Sequence, residues 1–113
     1  MTGDFDPGPL PPGLLEGYLK NVQGQVDLLS GLADRLVRQG DDADVLNEFR
    51  RESHKVRGSA GSYGFAEATN VAAEMEESAK AWLADLEANP GERGTAARAL
   101  VARLRVAFGP IGR

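Results

Sequence analysis

The sequence of 113 residues contains no cysteine and a single histidine, His54. Without cysteine the chain can form no disulfide scaffold, no zinc–thiolate site and no cysteine nucleophile, so packing alone must stabilise its fold. One histidine without any cysteine also argues against a metal-dependent enzyme, because metal sites draw several ligands from these residue types. These absences exclude several classes of catalytic site and leave His54 to be explained.

Long apolar runs are also absent. No stretch approaches the roughly 20 apolar residues that span a bilayer. The N-terminal sequence MTGDFDPGPLPPG lacks the basic start and the apolar stretch of a secretory signal. We therefore expect a cytoplasmic protein that does not contact the membrane. A formal net charge of −4 argues against a general nucleic-acid binder.

Apolar residues recur at spacings of three and four in four segments, which is typical of amphipathic helices. The first segment spans about 14–39, and the second begins at 43 and continues through the glycine-containing stretch after His54. The third spans 66–88 and the fourth 95–108. No segment alternates apolar and polar residues as a strand would. The residues expected to face inward are Leu15, Tyr18, Val22, Val26, Leu29, Ala33 and Leu36, then Val45, Leu46, Phe49, Val56, Ala60 and Tyr63, then Val71, Met75, Ala79, Trp82 and Leu86, and finally Ala97, Leu100, Val101, Leu104 and Phe108.

This pattern predicts an all-α fold, an antiparallel four-helix bundle over residues 14–113. Residues 1–13 hold four prolines and three glycines and are expected to form a flexible, extended lead. A length of 113 residues and 42% hydrophobic residues suit one domain with one core. The acidic residues of the third helix are expected to lie on a solvated outer face.

The stretch SHKVRGSAGSYGF (53–65) places three glycines close behind the histidine. Each glycine inside a helix costs about 1 kcal/mol relative to alanine. At 100° per residue His54 points away from the apolar stripe, and Arg57, Gly58 and Gly61 are its neighbours on that face. Two interpretations fit: either another surface approaches His54 closely across the glycines, or the helix frays there and Gly64 ends it.

The stretch resembles the signature of histidine-containing phosphotransfer (Hpt) domains of bacterial phosphorelays. That signature is a histidine followed by lysine or arginine at +3, glycine at +4, often serine at +5, and glycine at +10, here His54, Arg57, Gly58, Ser59 and Gly64. The resemblance implies a four-helix bundle with the histidine exposed on its second helix. Arginine stands where lysine is commoner, which keeps the charge but changes its geometry.

The resemblance also implies a function. An Hpt domain has no kinase activity of its own; its histidine accepts a phosphoryl group from a phospho-aspartyl receiver domain or a histidine kinase and passes it to a response regulator. A neutral imidazole, whose ordinary pKa is near 6.5, can attack phosphorus without a general base. We therefore expect His54 to accept the phosphoryl group and Arg57 to stabilise its charge.

Partner docking is expected on the face around the histidine. The residues assigned to it are Arg50, Arg51, Lys55, Gly58, Gly61 and Phe65. Basic residues suit the acidic active site of a receiver domain. For Phe65 two alternatives stay open, an apolar docking rim or a position tucked under the bundle. No carboxylate cluster is evident near His54, so the chain is expected to hold no cofactor and Mg²⁺ is expected to come with the receiver.

Two other functions compete with phosphotransfer. One is a silent helical interaction domain that binds receiver domains without phosphotransfer, although an intact His54, Arg57 and Gly58 argue against it. The other is the dimerisation and phosphorylation domain of a sensor kinase. Such domains usually carry an acidic residue directly after the histidine and a proline several residues later. Here Lys55 follows the histidine and the next proline is Pro90.

Overall fold

A computed structural model describes residues 13–109. Four α-helices follow one another, α1 (Leu14–Arg38), α2 (Ala43–Ser62), α3 (Ala66–Ala84) and α4 (Arg93–Phe108), with one 3₁₀ turn (Pro90–Glu92) before α4. No strand is present in this range, so the all-α four-helix prediction is confirmed. The lead predicted over 1–13 lies outside the described residues except for Gly13, which precedes α1.

The helices pack in the order in which they occur along the chain. α2 packs most extensively on α3, and α4 closes the bundle against α1. The three-residue connection between α2 and α3 makes these two neighbours antiparallel. The third helix ends at Ala84 rather than at the predicted 88, because the chain turns at Asp85 to enter the 3₁₀ segment. None of the described helices is long and apolar enough to cross a membrane.

One apolar core runs through the bundle. Most residues predicted to face inward are buried in it, and Leu32 joins them although the sequence pattern did not single it out. Tyr63, Trp82 and Leu86 are half-buried against this core. Leu15 was predicted wrongly, since 38% of it is exposed. It lies in the first turn of α1, ahead of Tyr18, the first buried residue of that helix.

The ends of α2 are fixed by local hydrogen bonds. At its start the side chain of Asp42 accepts hydrogen bonds from the backbone N–H groups of Asp44 (3.0 Å) and Val45 (3.2 Å). At its end Gly64 adopts a left-handed conformation with φ +83°. The Phe65 N–H then donates to the Ala60 carbonyl at 2.9 Å, which closes a Schellman motif. Gly64 therefore ends the helix as predicted, but the fraying that was considered with it does not occur, because α2 is helical through Ser62.

Aromatic rings fill the end of the bundle beyond this motif. Tyr18 and Tyr63 stack with centroids 4.1 Å apart and planes at 7°. The ring of Phe65 meets Phe108 edge-on at 5.2 Å. Aromatic pairs in such arrangements add about 0.5–1.5 kcal/mol each beyond burial. Phe65 thus takes the tucked position, the second of its two alternatives, and only part of its surface remains available to a docking partner.

A buried guanidinium holds the opposite end together. Arg93, at the start of α4, is 2% exposed. It donates hydrogen bonds to the backbone carbonyls of Gly40 (3.0 Å), Ala88 (2.9 Å) and Asp85. Gly40 and Asp85 follow the C-terminal ends of α1 and α3, where the helix dipoles place partial negative charge. The positive charge is therefore stabilised by backbone carbonyls.

Candidate functional site

His54 lies near the middle of α2 with 67% of its side chain exposed. Val45, Phe49, Val56 and Ala60 of the same helix are buried, so the 3.6-residue period directs His54 outward. α2 remains helical through Gly58 and Gly61 to Ser62. The histidine therefore stands on a regular helix and not on a frayed end. The exposure of its side chain confirms the predicted outward orientation.

One carboxylate on the neighbouring helix α3 holds the site together. Oε2 of Glu76 lies 3.0 Å from Nδ1 of His54. Oε1 of the same carboxylate accepts a hydrogen bond from Nη1 of Arg57 at 3.1 Å. Nζ of Lys80 lies 3.7 Å from Oε2. Glu76 is only 4% exposed, so it fixes the histidine ring from beneath while the ring faces solvent.

The Glu76 carboxylate is ionised at neutral pH. Burial raises its pKa, but hydrogen bonds from Arg57 and His54, together with the charges of His54 and Lys80, outweigh burial and lower the pKa below its ordinary value. An ionised carboxylate is only an acceptor. Nδ1 of His54 must therefore carry a proton, so the lone pair lies on Nε2 whenever the ring is in its neutral form.

Sequence reasoning missed Glu76 because it assigned all the acidic residues of α3 to a solvated face. That prediction is wrong for this residue, although Glu67, Glu74 and Glu77 of α3 are exposed as expected. Glu76 follows the buried Met75 and comes three residues before the buried Ala79. It lies at the edge of the apolar stripe, where the close packing of α2 on α3 covers it.

Four of the six residues assigned to docking lie on the exposed surface around the histidine, and two do not. Arg51, Lys55, Gly58 and Gly61 are exposed beside it, whereas Arg50 is half-buried. Phe65 lies in the aromatic cluster described above. A side chain added at Gly58 would meet no atom within 4 Å, so the surface next to His54 is open.

Nothing in residues 13–109 groups three or more metal-ligating side chains in an arrangement that would hold an ion. The Glu76 carboxylate is engaged by His54 and Arg57. The site around His54 thus comprises an imidazole, the two cations Arg57 and Lys80 and one buried carboxylate.

The family model described as Hpt domain matches residues 13–107. The chain belongs to the Hpt domain family. That range spans all four helices except the last residue of α4. No curated protein and no solved structure matches the chain. Hpt domains act as phosphocarriers, not kinases, in two-component phosphorelays, where they interact with receiver domains and histidine kinases.

Proposed function

We propose that this Hpt domain accepts a phosphoryl group on Nε2 of His54 from a phospho-aspartyl receiver domain or a histidine kinase, and passes it to a response regulator. The observation that carries the proposal is the 3.0 Å hydrogen bond between Nδ1 of an exposed His54 and the buried Glu76 carboxylate. Because an ionised carboxylate only accepts, this bond favours a ring proton on the inner nitrogen and supports attack by a lone pair on the outer one.

The transfer needs no proton to leave the ring. Nε2 attacks phosphorus while the bond from phosphorus to the receiver's aspartyl oxygen breaks, and the aspartate departs as a carboxylate with that electron pair. The imidazole keeps its proton on Nδ1 and becomes positively charged. The ionised Glu76, in contact with that N–H, stabilises the new charge. Donation to a second receiver reverses each step and returns the electron pair to Nε2.

The surroundings of His54 suit an in-line displacement. Arg57 lies one helical turn away and can turn from Glu76 toward a phosphoryl oxygen, which a charge-assisted hydrogen bond would stabilise. The open surface at Gly58 admits the partner's phosphorylated loop. Arg50, Arg51 and Lys55 supply a basic margin that attracts an acidic receiver site. Mg²⁺ belongs to the receiver in this scheme, and the chain contributes no cofactor.

The second candidate is a domain that binds receivers without transferring phosphate. The paired His54 and Glu76 favour transfer, since binding alone requires no fixed tautomer. The deciding experiment incubates the protein with a ³²P-labelled phospho-receiver and Mg²⁺ and measures acid-labile, base-stable label on the chain. We expect label on the wild type and none on His54→Gln. Equal labelling of both proteins, or stable binding of the receiver without label on either, would reject the proposal.

A further inference from the structure

We infer that Lys80 is a second catalytic cation, which contacts the phosphoryl group during transfer together with Arg57. The inference rests on the proposed function and assigns a role to a residue of α3 that the sequence motif on α2 does not contain. Four features support it: the position of the Lys80 ammonium, the long or exposed ion pairs that hold it, the charge balance of the site and the antiparallel packing of α2 on α3.

The ammonium of Lys80 shares a partner atom with the histidine. Its Nζ lies 3.7 Å from Oε2 of Glu76, the same oxygen that is 3.0 Å from Nδ1 of His54. Because α2 and α3 are antiparallel and His54 faces Glu76, a residue later in α3 lies toward the start of α2. Lys80 therefore flanks the histidine on one side along the bundle, and Arg57 flanks it on the other.

The attachment of Lys80 is looser than that of Arg57. The distance of 3.7 Å to the buried carboxylate is too long for a hydrogen bond. The closer partner is the 65% exposed Glu77, at 3.3 Å. Exposed pairs of this kind contribute about 0–1 kcal/mol, so little free energy opposes a movement of the ammonium. The flexible lysine stem can carry the charge toward a phosphoryl oxygen.

The charge balance of the unphosphorylated site favours an incoming anion. One buried carboxylate, Glu76, faces two permanent cations, Arg57 and Lys80, beside the imidazole of His54. A phosphoryl group brings about −1.5 to −2 charges at neutral pH. With Arg57 as the only cation, part of the phosphoryl charge would stay uncompensated and would be repelled by the nearby Glu76 carboxylate. Two cations placed on opposite sides can each neutralise an equatorial oxygen as the phosphoryl group moves between aspartate and Nε2.

Three variants test this role: Lys80→Gln, Lys80→Arg and the matched control Arg103→Gln. Arg103 is an exposed cation of α4 that pairs at 3.0 Å with Glu74 of α3, and neither residue contacts Glu76. Transfer from a phospho-receiver is followed by rapid quench over a range of receiver concentrations, in both directions.

We expect Lys80→Gln to lower the saturating rate about tenfold each way, equivalent to about 1.4 kcal/mol. Lys80→Arg should stay within about threefold of wild type, and Arg103→Gln should be unchanged. Thermal melts should coincide for Lys80→Gln and Arg103→Gln.

The outcomes separate this inference from the proposed function. If the wild type accepts no phosphate on His54, the proposed function fails and the inference fails with it. If the wild type accepts phosphate and Lys80→Gln reaches the same saturating rate, the inference alone is overturned. A change confined to the receiver concentration needed for half-saturation also overturns it, because Lys80 would then act in docking. So does a Lys80→Arg protein as slow as Lys80→Gln, because charge would not be the property that matters.

Discussion

Replacing Glu76 by glutamine keeps the shape of the side chain and removes its charge. Two charge-assisted contacts are weakened, one to Nδ1 of His54 at 3.0 Å and one to Nη1 of Arg57 at 3.1 Å. Hydrogen bonds to charged groups contribute about 1.5–3 kcal/mol. His54 and Arg57 are 67% and 46% exposed, so we place the loss of folding stability near the low end, about 1–2 kcal/mol. The matched control is Glu74→Gln, which removes an exposed carboxylate of the same helix.

Glu76→Gln should impair transfer more than folding. A glutamine cannot hold the proton on Nδ1 as firmly, nor can it balance the positive ring, so the transfer rate should fall about 10–100-fold. The assay is rapid-quench transfer beside chemical denaturation, with Glu74→Gln expected near wild type in both. A Glu76→Gln protein that transfers phosphate at the wild-type rate would refute the tautomer argument.

The stabilisation that the Glu76 charge gives to the fold depends on pH. The pKa of Glu76 is lower in the folded protein than its ordinary value of 4.5. Its charge therefore stabilises the fold fully above pH 4.5, and this stabilisation is lost as pH falls through the folded pKa. The difference in unfolding free energy between the wild type and Glu76→Gln should shrink below that pH, which denaturant titrations at several pH values would measure. A difference that stays constant down to pH 3 or grows would contradict the ion pair.

Three further substitutions test the surface and the packing. Arg57→Ala should slow transfer with little change in the melting temperature, since Arg57 is 46% exposed; an unchanged rate would leave it a surface residue. Gly58→Gln should melt no lower than wild type, because the position is helical and open, yet should transfer poorly if a partner approaches there; a normal rate would reject the docking role. Gly94→Ala should destabilise the fold by about 3 kcal/mol in denaturant titrations, because its methyl group would overlap the backbone of Val37; a cost below about 1 kcal/mol would refute this close approach of α4 to α1.

Sequence periodicity predicted the four helices and the outward direction of His54 because both depend on local spacing. The side chains of α2 follow the 3.6-residue period, and the buried Val45, Phe49 and Val56 fix the opposite face. The glycine that ends this helix could also be anticipated, since Gly64 takes the φ +83° that glycine tolerates.

The buried charges could not be predicted in the same way. Glu76 lies at the edge of an apolar stripe, and whether such a position is covered depends on how closely the next helix packs. Arg93 finds its acceptors in backbone carbonyls, one of them Gly40, more than fifty residues away along the chain. The contact between Glu76 and His54 and the contact between Arg93 and Gly40 both join residues that are far apart along the chain. A long-range contact decides whether a charged side chain is a solvated residue or part of the site.

The most direct test of the account is the identity of the phosphorylated nitrogen. The chain has one histidine, so a protein labelled with ¹⁵N-histidine gives ring signals that belong to His54 alone. After transfer from a phospho-receiver, NMR should show ³¹P coupling to Nε2 and a proton retained on Nδ1, the nitrogen 3.0 Å from Glu76. Phosphorus bonded to Nδ1 would contradict this assignment. So would phosphate that leaves the receiver and appears on a residue of the chain other than His54.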